Sequence, residues 1–221
     1  MSIIFNYNKT YIVLFFLLIY SCSNATEKLE NYRLIIIGDS LIQGYGLPKD
    51  KGFVNQLQEK LLEVKNNIFL INGGVSGDTT AGGLSRIEWS ITDDINAVAI
   101  SLGANDMLRG IPPKFSKENL TKIIMKIKEN NLPILLIGIK SIENYGTKYK
   151  NEFDIMFSDL AHEFELFFYP DLMAPIYNKE KDLSLYLQED MKHPNEKGVE
   201  IIVQGILPTI TNFINSFSEK N

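Results

Sequence analysis

A chain of 221 residues, 45% of them hydrophobic and 22% charged, carries enough apolar material for one full core and has the composition of a single globular domain. Its formal net charge of −5 lacks the basic excess that neutralising phosphates requires, which argues against nucleic acid as a partner. Cys22 is the only cysteine and so forms no internal disulfide, and two histidines beside it are too few ligands for a typical zinc site.

In chain order, Lys9 precedes an unbroken apolar run over residues 11–20 that closes on Ser21-Cys22-Ser23. The run is too short to span a bilayer as a stable helix and has the pattern of an export signal. With Leu18 and Ile19 upstream, the small residue before Cys22 resembles the bacterial lipobox, at which the cysteine is acylated and becomes the mature N-terminus. A plain secretory signal with an incidental cysteine is the other reading. Residues 1–21 are therefore expected to be a signal peptide of lipoprotein type and residues 22–32 a polar tether, ahead of a folded domain at 33–217. Such a protein is exported to the periplasm or cell envelope and held at a membrane by its N-terminal lipid.

Beyond the tether, short apolar runs alternate with longer amphipathic stretches. The apolar, β-branched continuity of residues 34–37 suits a strand buried on both faces, and further strands are predicted at 68–71, 97–102, 134–139 and 166–168. Phe53, Leu57, Leu61 and Val64 recur near helical spacing between polar residues and predict a surface helix. Further helices are predicted at 81–89, 117–130, 148–164 and 195–217. Strands alternating with helices imply right-handed crossovers and an α/β fold, a three-layer α/β/α sandwich around a five-stranded parallel sheet. In such sheets the ligand crevice lies at the carboxyl ends of the strands. Those ends are followed here by Gly38-Asp39-Ser40-Leu41, by Asn72-Gly73-Gly74-Val75-Ser76-Gly77-Asp78 and by Gly103-Ala104-Asn105-Asp106.

Ser40 lies just beyond the first strand, where a serine can attack a carbonyl while its own N–H helps to hold the oxyanion. Asp39 and Ser40 could equally do no more than cap a turn. The elbow Gly-x-Ser-x-Gly does not fit, because Ile42 stands at the second glycine position. A serine hydroxyl needs a base, usually histidine. His162 sits among Glu163 and Glu165 in a predicted helix and reads as a surface residue. His193 follows Asp190-Met191-Lys192 in the loop before the last helix, so Asp190 can reach back to its ring, fix the tautomer and stabilise the imidazolium. A loop aspartate and a solvated histidine are the plain alternative. An oxyanion hole needs rigid donors, for which Gly77 offers a backbone N–H and Asn105 a side-chain amide. Turn glycines and a helix cap would explain the same residues one at a time.

Together these blocks resemble the SGNH or GDSL hydrolases. The matching segments are Gly38-Asp39-Ser40-Leu41, the glycine block around Gly77, Gly103-Ala104-Asn105-Asp106, and Asp190-Met191-Lys192-His193-Pro194-Asn195. The resemblance implies a flavodoxin-like sandwich with Ser40 as nucleophile, His193 as base and Asp190 orienting it. It also implies Ser40, Gly77 and Asn105 as oxyanion donors, with no cofactor. Val75 to Thr79, Asn105 to Gly110 and Asn144-Tyr145-Gly146 are similar to the bacterial multifunctional thioesterase/lysophospholipase and arylesterase branch, from which Ala104 departs where glycine is common. The expected substrates are acyl esters or thioesters, lipids such as lysophospholipids among them. The apolar loop of Met107, Leu108, Ile111, Pro112 and Pro113 could line an acyl groove, and Arg109 could meet a head group. Asp39, Leu108, Arg109, Ile111 and Tyr145 are the expected substrate contacts. A carbohydrate O-acetyl esterase, transfer of the acyl group to another alcohol, and a non-catalytic surface lipoprotein are the competing readings.

Overall fold

The computed structural model describes residues 31–65, 67–178 and 182–218; the expected signal segment, Cys22 and most of the tether lie outside them. Five strands form one sheet: β1 (Tyr32–Gly38), β2 (Ile68–Gly74), β3 (Ala97–Ser101), β4 (Ile134–Ile137) and β5 (Phe167–Tyr169). All neighbours run parallel, in the order β2-β1-β3-β4-β5. The helices are α1 (Ser40–Gln43), α2 (Phe53–Leu62), α3 (Thr80–Ser90), α4 (Ala104–Leu108), α5 (Pro113–Glu129), α6 (Gly146–Glu163), α7 (Ala174–Tyr177) and α8 (Glu196–Ser218).

The continuous apolar run of β1 follows from burial on both sheet faces. Successive side chains point to opposite faces. Leu34 and Ile36 therefore enter one core cluster, with Phe53, Leu57 and Leu61 of α2 and Ile202, Ile206 and Phe213 of α8. Ile35 and Ile37 enter the other, with Ile87 of α3, Leu120, Ile123 and Ile127 of α5 and Phe153, Phe157 and Leu160 of α6. These two clusters are the two interfaces of the three-layer sandwich.

Tyr32 corrects the tether boundary. It is buried at 7% exposure, is paired in register with Ile68, and its ring meets Phe217 edge-on at 5.9 Å, so the sheet begins inside the segment predicted to be a tether. The helix predicted to start at residue 117 starts at Pro113, because a proline at the first helical turn forfeits no hydrogen bond. Pro112 and Pro113 thus belong to the start of α5, and Pro113 is buried there. In α8, Pro208 lies inside the helix, where the buried row Ile202, Ile206, Ile210, Phe213 and Ile214 holds the chain helical on both sides of it.

The order 2-1-3-4-5 reverses direction between β1 and β3, and the crevice of such a sheet opens beyond the carboxyl ends of those two strands. Ser40 follows β1 and Asn105 follows β3, so the topology sets both at this point. Ile36 is fully buried near the middle of β1. Replacing it with alanine is expected to cost about 2–5 kcal/mol of unfolding free energy by urea titration, through lost transfer energy and the cavity left behind.

Candidate active site

Asp39 is the N-cap of α1, where its Oδ1 accepts a hydrogen bond from the Leu41 amide at 3.1 Å. Ser40 is therefore the first helical residue, and an amide at that position has no acceptor within its own helix. His193 arrives from the other end of the chain. Its Nε2 lies 2.8 Å from Ser40 Oγ, and its Nδ1 lies 2.5 Å from Asp190 Oδ2. The second carboxylate oxygen of Asp190 accepts from the amides of Lys192 at 2.9 Å and His193 at 3.0 Å. Burial opposes ionisation of Asp190, but the His193 amide, the His193 ring and the Lys192 amide outweigh it and bring the carboxyl down to about 2. An ionised carboxylate on Nδ1 leaves Nε2 to accept a proton from the serine.

Gly77 has φ of +83°, a left-handed conformation that favours glycine, and this turns the 75–78 segment at the end of β2. Three side chains pin that turn. Asn105 donates from Nδ2 to the Asp78 carbonyl at 2.9 Å, and Arg109 donates to the Gly77 carbonyl at 2.9 Å. Arg86 reaches from α3 to the Asp78 carboxylate at 2.6 Å and to the Gly38 carbonyl at 3.0 Å, which ties the turn to the strand that carries Ser40. Beneath them, Asp106 is buried at 1% exposure and accepts from the Thr80 amide at 2.8 Å, Thr80 Oγ1 at 2.5 Å and Ser116 Oγ at 2.9 Å. That network locks α4 to the starts of α3 and α5, and so locks Asn105 against the Gly77 turn.

The residues expected to touch substrate fall into three groups. Leu108 and Tyr145 are exposed at the mouth, and the Tyr145 hydroxyl donates to the Leu108 carbonyl at 3.0 Å, joining the end of α4 to the segment after β4. Arg109 is engaged with Gly77, and Ile111 is half-buried with its carbonyl held by the Tyr149 hydroxyl at 2.9 Å. Asp39 corrects the expectation: at 1% exposure it lies beneath the site as a cap, closed off from any substrate. Arg86, Thr80 and Ser116 are not legible in the sequence as site residues. Only Arg86 left a trace in the sequence, one helix-face cation eight positions after Asp78.

A parallel sheet with a serine, an imidazole and a carboxylate aligned at its switch point defines a serine hydrolase. The family model described as the GDSL-like Lipase/Acylhydrolase family matches residues 36–201, and the chain belongs to that family. An arylesterase of Vibrio mimicus is 36% identical over 186 residues, covering 83% of this chain and 87% of that protein. The thioesterase 1/protease 1/lysophospholipase L1 of Escherichia coli K12 is 30% identical over 183 residues, covering 82% and 85%. The crystal structure of the psychrotrophic esterase EstA from Pseudoalteromonas sp. superposes with a TM-score of 0.77 at 32% identity, over 84% of this chain and all of that one. The protein is an ester-hydrolysing serine hydrolase.

Asp39 carries a pH signature. Burial pushes its carboxyl up to about 6, and its Oδ2 is buried with no hydrogen-bond partner among the described residues. An unfolded aspartate ionises near 4. A raised folded pKa means that this group's stabilising contribution is complete below about pH 4 and is lost as pH rises to about 6, by about 3 kcal/mol. Asp39→Asn keeps an acceptor for the Leu41 amide and removes the charge. Urea unfolding at pH 4 to 7 is therefore expected to show the variant gaining on the parent protein across that interval; parallel curves would show that Asp39 titrates normally.

Proposed function

We propose that Ser40 is the nucleophile, His193 its general base and Asp190 the residue that orients and charges the imidazole. The observation that carries this reading is the continuous chain from Asp190 Oδ2 through the His193 ring to Ser40 Oγ, at 2.5 and 2.8 Å. In the acylation step Ser40 Oγ bonds to the acyl carbon as its proton passes to Nε2. The alcohol or thiol then leaves with that proton, and water attacks the acyl-enzyme with His193 again as base. The oxyanion is held by the Ser40 and Gly77 amides and the Asn105 side chain. One N–H of Asn105 is spent on Asp78, which fixes the amide plane and frees the other for the charge.

The substrates in this proposal are acyl esters and thioesters, lysophospholipids included. Support comes from the arylesterase and the thioesterase/lysophospholipase named above, and from the apolar character of the mouth. Val75, Leu108, Ile142, Tyr145 and Met191 are all exposed on the segments at the crevice end, where apolar side chains would meet an acyl chain. Activity of the folded domain on p-nitrophenyl acetate and octanoate, beside Ser40→Ala and His193→Ala, tests the reading. Both variants are expected to lose at least about a thousand-fold in kcat with circular dichroism unchanged. The octanoate ester is expected to be cleaved at least as well as the acetate; strict preference for acetate would point to a carbohydrate O-acetyl esterase.

Export and attachment to a membrane through acylated Cys22 belong to the same proposal, supported by the apolar run at 11–20 ending in Ser21-Cys22-Ser23. Cells fed a labelled fatty acid are expected to label the full chain, and Cys22→Ala is expected to abolish the label.

A further inference from the structure

One side chain next to the candidate site belongs to neither the triad nor the oxyanion donors. The ring of Tyr45 lies against the His193 imidazole with centroids 4.6 Å apart and planes at 39°. Its placement is built from three directions. The amides of Gly44 and Tyr45 both donate to the Ser40 carbonyl at 3.0 Å, so the residue is tied to the nucleophile's own backbone. Gln188 Nε2 donates to the Tyr45 carbonyl at 2.8 Å and to the Pro194 carbonyl at 2.9 Å, which joins this turn to the His193 loop. That loop is closed in turn by Gln188 N–H to the His193 carbonyl at 2.8 Å. Gly44 and Gly46 flank Tyr45 with φ of +86° and +75°, and this pair of left-handed residues turns the chain back over the imidazole. A Cβ at Gly46 would stand 2.2 Å from Gln188 Oε1, so Gln188 packs into the space that glycine leaves.

We infer that Tyr45, clamped by Gln188 and its two flanking glycines, is a positioning residue that holds the His193 ring in the plane from which Nε2 faces Ser40. This rests on the reading of His193 as the base. The aromatic face has a second effect. It attracts the imidazolium, which exists only after the serine has given up its proton, more than the neutral ring, and so favours the transition state over the ground state. The hydroxyl of Tyr45 has no part in either effect, so phenylalanine should replace tyrosine without loss. Half of Tyr45 is exposed to solvent, so its removal leaves the core intact.

The test compares the parent protein with Tyr45→Phe, Tyr45→Ala, Gln188→Ala and His193→Ala on p-nitrophenyl acetate, whose acyl group is too short to reach far from Ser40. Tyr45→Phe is expected to match the parent. Tyr45→Ala and Gln188→Ala are expected to lower kcat roughly ten- to a hundred-fold with KM little changed, the scale of a small misplacement of a reacting group. The downfield proton resonance of the His193–Asp190 hydrogen bond should persist in Tyr45→Phe and broaden by solvent exchange in Tyr45→Ala. A Tyr45→Ala protein with the parent's kcat, or with a raised KM alone, overturns the inference and makes Tyr45 at most a substrate contact. An active His193→Ala protein would instead remove the base assignment on which the inference stands.

Discussion

The contact between His193 Nε2 and Ser40 Oγ joins residues 153 apart in the chain, and the rest of the structure can be understood as what makes it hold. Ser40 is delivered by the end of β1, a central strand covered on both faces. His193 is delivered by the loop that leads into α8, which packs on the same face of the sheet as α2 through Ile202, Ile206 and Phe213. Neither delivery is local. A hydrogen bond of this kind contributes only about 1 kcal/mol by itself, so its geometry must be set by the packing of the layers around it.

The proposed oxyanion side of the site is built on a different principle. The Gly77 turn is held by three polar side chains from two helices and the residue that follows the second: Arg86 of α3, Asn105 of α4 and Arg109 just beyond α4. Under these, the buried carboxylate of Asp106 accepts three hydrogen bonds from uncharged donors on α3 and α5. A buried polar network of this kind is costly if any member is missing and stiff when complete. Stiffness is what an oxyanion hole needs, since donors that must reorganise during the reaction lose much of their effect.

Asp39 and Asp190 lie on either side of the serine and histidine in opposite electrostatic circumstances. Asp190 is partly exposed, receives amide and imidazole hydrogen bonds, and stays charged. Asp39 is closed off, has one oxygen without a partner among the described residues, and is pushed up to about 6. Environment alone separates them: the first holds a charge against the His193 ring, and the second serves as a cap whose ionisation the fold resists.

Much of this was legible in the sequence. The apolar runs marked the strands because the central strands β1, β3 and β4 are covered on both faces and so are apolar at nearly every position, while the edge strands β2 and β5, partly exposed, are marked more weakly. The motif residues after β1, β2 and β3 stood at the strand ends where a parallel sheet opens its crevice. Ser40, Gly77, Asn105, Asp190 and His193 could be singled out only as a set: each alone has an ordinary explanation as a cap, turn or solvated loop residue, but together they supply a nucleophile, a base with its carboxylate and oxyanion donors. Helix starts drifted by up to four residues, as at Pro113, since propensity near an end is weak and packing decides. Tyr32 reads as tether in the sequence because it closes a polar, charged stretch without periodicity, and the partners that bury it, Ile68 and Phe217, are remote in the chain. Ser116, Tyr45 and Gln188 are invisible as supporting residues for the same reason, and Arg86 shows only as a helix-face cation eight positions after Asp78. Composition and local pattern determined the class of fold and the chemistry; only the tertiary structure decided which side chains hold that chemistry in place, because supporting contacts are made through space between elements whose spacing in sequence carries no signal.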